Sequence, residues 1–318
     1  MAEIFEFHRR INMETRRKIL QTGCLAIGSV PFPSLASVDS NPKCTLGFST
    51  YGMRKLKTEQ AIQVLSKIGF QAIEIAVRSG WDADSAKLSQ DRMTNIRHML
   101  ANSPLQLTSF MEHLAPTDQK KQWQAIERLK MAADLAHDLG TSNVPLIQTT
   151  LGGGKFSAMK GILLQHLAEW IELANKEEVT IAIKPHRGGA VSQPIEAAWL
   201  FHQLKHPPRL KMVYDYSHYI FRDMKMEDTI QTALPHIVHV AVKDALQENG
   251  RVLFKLPGET GNIDFVKMLN IFHKGGYRGD FNCEVSSMVS GMKGYDPISA
   301  ARICHTNMTR AFKEAGLK

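Results

Sequence analysis

Residues 181–187 read IAIKPHR, Ile181 to Arg187. A β-type apolar run opens the stretch, and an ammonium and an imidazole follow where a strand would stop. Three later stretches have the same form: MVYDYSH (Met212 to His218), VHVAVKD (Val238 to Asp244) and FNCEVS (Phe281 to Ser286). Polar side chains at the C-terminal ends of several strands are how a parallel (β/α) barrel builds an active site. These four stretches therefore bear on fold and function together.

Outward from them the chain alternates. β-like runs fall at 46–50, 71–77, 105–111, 144–149, 179–184, 210–214, 237–242 and 279–285. Between and after them, helical spacing of apolar residues predicts helices over 58–68, 85–100, 117–139, 157–176, 193–205, 226–234, 263–274 and 297–315. Gly69, Gly140 and Gly275 sit where helix C-caps belong. Eight alternating pairs predict a parallel sheet closed into a (β/α)8 barrel, the TIM-barrel class of α/β fold. No GxGxxG follows the first strand, so a dinucleotide-binding fold has no support. The loop Gly152-Gly153-Gly154-Lys155 lacks phosphate-loop spacing and reads as a turn.

The 318 residues are 43% hydrophobic and 22% charged, enough for one large core, and one barrel takes about 250 residues. A single catalytic domain over 44–318 is expected. The net charge of +8 is spread without a long Lys/Arg run, which argues against a nucleic-acid groove. Residues 1–36 read differently. Arg16-Arg17 precede an apolar stretch, and Ser34-Leu35-Ala36 offers a small-x-small cleavage pattern, the form of a twin-arginine export signal. The expected location is the periplasm, the alternative being a cytoplasmic enzyme with an N-terminal extension. The apolar stretch is short and broken by Gly and Pro, so no integral membrane association is expected. Cys44, Cys283 and Cys304 have no close spacing, against a disulfide framework or a structural zinc site.

Alternation along the strands sorts side chains by face. It puts Glu74, Ala182, Lys184, His186, His239, Ala241, Lys243, Asn282 and Glu284 inward, with Asp215 on the face of Lys211 and Val213. Val238, Val240 and Val242 should then face the helices. Glu74, Lys184, His186, Asp215, Glu284 and His218 would converge on one mouth. Ionisable groups gathered there must pair or hold an ion. His113 would line the same mouth, Arg187 and Lys243 would hold a substrate carboxylate, phosphate or hydroxyls, and Trp81 could stack on a sugar face.

At these residues the chain resembles the xylose isomerase-like barrel superfamily, in its sugar phosphate isomerase/epimerase branch. The matching pieces are Gly69-Phe70-Gln71-Ala72-Ile73-Glu74, Asp215-Tyr216-Ser217-His218, His239 through Lys243-Asp244, Leu256-Pro257-Gly258-Glu259 ahead of Ile263-Asp264-Phe265, and Gly276-Tyr277 leading to Glu284. Together they cover roughly residues 44–312, and their order is more specific than any one piece. The resemblance implies a divalent cation (Mn, Mg, Co or Zn) held by Glu, Asp, His and Glu from strands five to eight, with the glutamates moving the proton. Asp215 and Glu284 match two of those positions, and His218 matches a substrate-contacting or supporting histidine. Lys184 stands where the first Glu is expected and Ala241 where the His is expected. An ammonium ~4 Å from a divalent ion costs several kcal/mol even at effective ε ≈ 20. Two expectations compete: Lys184 takes the ion's place against Asp215 and Glu284, or a shifted metal site uses His186, Asp215, His218 and Glu284.

The implied chemistry is proton abstraction next to a carbonyl, with Glu284 as base and Lys184 or His186 stabilising the oxyanion. A sugar or keto-sugar isomerase or epimerase is the leading expectation. A lyase, dehydratase or keto-glycoside-cleaving enzyme uses the same first step, and a metal-free carbohydrate-binding barrel is the non-catalytic alternative. A small-molecule carbohydrate is the expected partner, and a homo-oligomer is left open.

Overall fold

The computed structural model describes residues 44–317, so the export segment read over residues 1–36 lies outside the described residues. Ten strands and nine α-helices follow in chain order: β1 (Thr45–Ser49), α1 (Thr58–Ile68), β2 (Ala72–Ala76), α2 (Gln90–Ala101), β3 (Gln106–Met111), α3 (Gln119–Leu139), β4 (Leu146–Thr149), α4 (Phe156–Lys176), β5 (Ile181–Ile183), α5 (Pro194–Gln203), β6 (Leu210–Tyr214), α6 (Met226–Ala233), β7 (Ile237–Val242), β8 (Asp244–Glu248), β9 (Arg251–Lys255), α7 (Phe265–Lys274), β10 (Asp280–Cys283), α8 (Ser287–Ser290) and α9 (Pro297–Glu314). Eight parallel strands close into a barrel in the order β1-β10-β7-β6-β5-β4-β3-β2, with helices between them. The fold is a (β/α)8 TIM barrel.

Local chemistry sets the helix starts. The helix expected from residue 85 begins at Gln90, because Ser89 is its N-cap and its Oγ accepts the Arg92 N–H at 3.4 Å. The helix expected from residue 117 begins at Gln119, with Asp118 Oδ1 accepting from Lys121 N at 3.0 Å.

An antiparallel hairpin, β8–β9, follows β7. The sequence reading passed over it, although its signal is present. Asn249 and Gly250 both have positive φ, 47° and 74°, between Glu248 and Arg251, which pair across the turn. That is the two-residue loop whose twist matches a hairpin.

Two register shifts shape the interior. Val238 is the extra residue between the Met212↔Ile237 and Val213↔His239 pairs. It therefore packs on the interior cluster of Ala182, Val213 and Ala241 rather than on the helices, because a bulge breaks the alternation that assigned it outward. Thr108 is extra between Leu107 and Ser109. Both bulges serve a polar layer. Glu74 Oε2 accepts from Ser109 Oγ at 2.7 Å and Gln148 Nε2 at 2.7 Å, and Asp280 Oδ2 accepts from Thr108 Oγ1 at 2.9 Å. His239 lies between the two acids, with Nδ1 3.1 Å from Asp280 Oδ1 and Nε2 3.3 Å from Glu74 Oε2. The second contact is an ion pair with the imidazolium at the long end of hydrogen-bonding distance. Glu74 thus sits inside the barrel against His239 instead of reaching the mouth.

Burial opposes a charge on His239, but Asp280 and then Glu74 override it and raise the imidazole to about 10 from its ordinary 6.5. A raised folded-state value adds stability that is full below pH 6.5 and lost as pH rises through about 10. Removing the imidazolium by His239→Leu leaves two buried carboxylates uncompensated, an expected loss of about 3–5 kcal/mol near neutral pH. The gap in melting temperature between wild type and variant should close as pH is raised from 6.5 to about 10. Parallel curves across that window would contradict the assignment.

Candidate active site

At the barrel mouth each chemical group is set by a strand end. Lys184 follows β5 and continues its ladder, its N–H donating to Thr149 O at 2.8 Å. Glu284 follows β10, its N–H donating to Val242 O at 3.0 Å. Asp215 ends β6 and caps the 3₁₀ turn Tyr216–His218. Its Oδ1 accepts from Ser217 N at 3.1 Å and Ser217 Oγ at 2.6 Å, which orients Oδ2. The same turn returns His218 to within 3.4 Å of that oxygen. Lys243 extends β7 just before the hairpin.

These five side chains form one cluster. Lys243 Nζ donates to Asp215 Oδ2 at 2.5 Å and to Glu284 Oε1 at 2.7 Å, and lies 3.2 Å from His218 Nε2. Lys184 Nζ donates to the other Glu284 oxygen, Oε2. The sequence reading paired Lys184 with both acids. The contact to Asp215 is instead made by Lys243, because β7 lies between β6 and β10 in the barrel and so sets this ammonium between the two carboxylates. Lys243 is only 2% exposed and is not a rim charge; Asp215 and His218 are 0% exposed, Lys184 and Glu284 each 5%. Two ammoniums balance two carboxylates.

Burial and these pairings set the ionisation. Burial alone would raise the Glu284 carboxyl, but Lys184 and then Lys243 hold it well below the usual carboxylate range. Asp215 is likewise pushed up by burial and brought below its ordinary value by Lys243 and then Lys184. Burial disfavours the Lys243 charge, yet Asp215 and Glu284 raise it above an ordinary lysine. The histidines go the other way. Burial, then Lys184 and Lys243, lower His186 to about 4, and burial with Lys243 lowers His218 well below its ordinary value. Both are neutral at neutral pH, and their rings lie 4.0 Å apart.

The surroundings are less uniform than the sequence reading drew them. Phe254, on β9, covers the cluster, 5.1 Å from the His218 ring and 5.0 Å from Lys243 Nζ. It was not foreseen, since the hairpin that carries it was not. Asn282, one inward position before Glu284, is buried with neither amide atom hydrogen-bonded among the described residues. The His113 side chain keeps substantial solvent access, with Nδ1 3.3 Å from Thr150 Oγ1, and partial desolvation, then the charges of Arg78 and Lys184, lower its imidazole below the ordinary value. It lines a cavity of 830 Å³ with Arg78, Lys121, Trp123 and Met131. Arg187 donates Nη2 to Ile220 O, and its buried Nε has no hydrogen-bond partner among the described residues. Trp81 stacks on Tyr51 at 5.3 Å, with Arg54 and Arg78 over its ring at 4.4 and 4.5 Å.

The family model of the xylose isomerase-like TIM barrel matches residues 62–302. The chain belongs to that family. A comparison with curated proteins finds no match. Among solved structures, the chain is similar to apo 3-keto-D-glucoside 4-epimerase YcjR from E. coli, at 12% identity and TM-score 0.67, over 85% of this chain and 100% of that one. It is similar to the probable 3-DHS dehydratase AsbF from Bacillus anthracis, at 15% identity and TM-score 0.68, over 83% of this chain and 98% of that one. It is also similar to the IolI protein with a bound zinc atom, at 14% identity and TM-score 0.69, over 85% of this chain and 99% of that one. At such identities the likeness is one of fold. No helix among the described residues is long and apolar enough to cross a membrane.

Two of the solved structures similar to this chain hold metal, zinc in IolI and magnesium in a xylose isomerase-like TIM barrel protein from Mycobacterium smegmatis. The residues here do not fit such an ion. Among the described residues no group of three or more His, Cys, Asp and Glu is set to hold one. The shifted set of His186, Asp215, His218 and Glu284 has its two carboxylates turned onto ammoniums, with Lys243 touching Asp215, His218 and Glu284 together. Lys243→Met should destabilise the protein by about 3–5 kcal/mol, because two buried carboxylates lose a shared cation. Lys184→Met should cost less, since Lys243 still serves Glu284. Urea unfolding of both variants checks the order, and equal losses would contradict it.

Proposed function

We propose that this protein is a carbohydrate isomerase or epimerase that removes a proton from the carbon next to a carbonyl. One observation supports the reading most directly: Glu284, at the end of the last barrel strand, carries an ammonium on each oxygen. A base and its positive partners thus occupy one buried place. A 3-keto sugar is a reasonable substrate, given the reaction named for the E. coli relative.

Donor counting divides the work. An ammonium has three protons to give. Lys243 meets three acceptors, Asp215 Oδ2, Glu284 Oε1 and His218 Nε2. Lys184 has one partner among the described residues, Glu284 Oε2, and two protons left for a substrate oxygen. A carbonyl taking its hydrogen bond from Lys184 draws that ammonium off Glu284, and the carboxylate becomes more basic as the oxyanion site fills. Glu284 then accepts the α-proton and Lys184 holds the enediolate oxygen. Glu284 returning that proton to the neighbouring carbon gives the isomer, and an epimer requires a second donor, water or His186, to protonate the opposite face while Glu284 keeps the proton it took. Neutral His186 would pass the hydroxyl proton. His113 and Arg187 would bind the outer part of the sugar; the 830 Å³ cavity beside His113 is lined by none of Lys184, His186, Asp215, His218, Lys243 and Glu284, so it is not the place of the chemistry. On this reading the protein works in the periplasm, to which the twin-arginine segment would carry it folded.

Incubation with 3-keto sugars and ketoses in D₂O should place deuterium next to the carbonyl, read by NMR. The same spectra separate an epimer or isomer from the unsaturated product of a dehydratase or lyase. Glu284→Gln should lower turnover by about 10²–10⁴-fold, and unchanged turnover would remove Glu284 from the mechanism. Because His186 is lowered to about 4, wild-type kcat/KM should lack an inflection from this residue near pH 6.5. An inflection there that disappears in His186→Gln would overturn its neutral role.

A further inference from the structure

We propose that Lys243 is the resident cation of this barrel: its ammonium replaces a divalent ion and aligns Asp215, His218 and Glu284, and the protein works without metal at this site. The geometry carries the claim. A single Nζ lies 2.5 Å from Asp215 Oδ2, 2.7 Å from Glu284 Oε1 and 3.2 Å from His218 Nε2. These are two carboxylates and an imidazole, the donor set a zinc or manganese ion would collect. An ammonium has no lone pair, so His218 Nε2 must be the acceptor in its contact with Lys243. That contact places the proton on Nδ1, which is buried with no hydrogen-bond partner among the described residues, and an ion using Nε2 would need the same tautomer. The three protons of Lys243 are matched by three acceptors, so the group is saturated and points nothing at a substrate. Phe254 closes the remaining side at 5.0 Å from Nζ.

The sequence around the cluster is consistent with the exchange. Ala241, two residues before Lys243 on the inward face of β7, carries no donor, and Lys184 brings a second positive charge against Glu284. A divalent ion entering between Asp215 and Glu284 would have to displace one ammonium and stay beside another. Lys243 is therefore a positioning residue: it holds the acids in place for Lys184 and Glu284 without touching the reacting atoms.

The test concerns ion binding, so its outcome is separate from the identity of the carbohydrate. Full-length protein purified without chelator is assayed for Mn, Mg, Co and Zn, then melted with and without MnCl₂ or ZnCl₂. Wild type should hold far less than one ion per chain and show no saturable rise in melting temperature. Lys243→Met should melt lower and be restored by Mn²⁺ or Zn²⁺, by ~5 °C at an ion concentration ~100 times its Kd. Asp215→Ala in the Lys243→Met background should abolish the rescue, and Lys184→Met, which keeps Lys243, should show none. One ion per wild-type chain, or an ion response as large in wild type as in Lys243→Met, overturns the proposal. So does a folded Lys243→Met that no ion stabilises. If Lys243→Met does not fold, the wild-type metal content and melting response alone decide.

Discussion

The structure depends on how two carboxylates are kept ionised inside a protein. Asp215 and Glu284 end neighbouring regions of one barrel and are almost fully buried. Uncompensated, two such charges would have to be protonated or would drive the mouth apart. Lys243 prevents both by touching each of them. Much else follows from its placement. The Ser217 turn orients the Asp215 oxygen that Lys243 needs, and Phe254 shields it from water. Asp244, the next residue, accepts from Thr260 N at 3.0 Å and Thr260 Oγ1 at 2.7 Å, which ties the start of the hairpin to the loop beyond it.

A second ionic arrangement lies deeper and is of a different kind. His239 between Glu74 and Asp280 is an acid–base–acid triad with its own hydroxyl and amide donors. The mouth pairs two cations with two anions and is neutral, while the inner triad has one cation between two acids. Between them, Ala182, Val213 and Ala241 pack as an apolar layer.

The fold was legible because the signals for it are local. Strand and helix periodicities, helix caps and strand-end polar clusters each span a few residues, and all eight barrel strands lie where the alternation put them. The inward face was legible for Lys184, Lys243, Asn282 and Glu284 for the same reason. Alternation failed where the strands themselves lose register. The bulge at Val238 turned a residue expected on the helix side inward, and Glu74 was placed at the mouth although its partners are all inside. The hairpin carries a short-range signal at Asn249-Gly250, but a search for alternating strand–helix units passes over an extra pair of strands.

The sequence by itself determined that eight strand–helix units close into one barrel and that acids, lysines and histidines gather at the strand ends. It also showed that Lys184 and Ala241 depart from a metal-binding pattern. Only the tertiary structure decided which lysine meets which acid. Lys243 and Asp215 are 28 residues apart, Lys243 and Glu284 are 41 apart, and Lys184 and Glu284 are 100 apart. Periodicity says which way a side chain faces, but how far it reaches across a closed barrel depends on strand stagger and bulges, which non-local pairing sets.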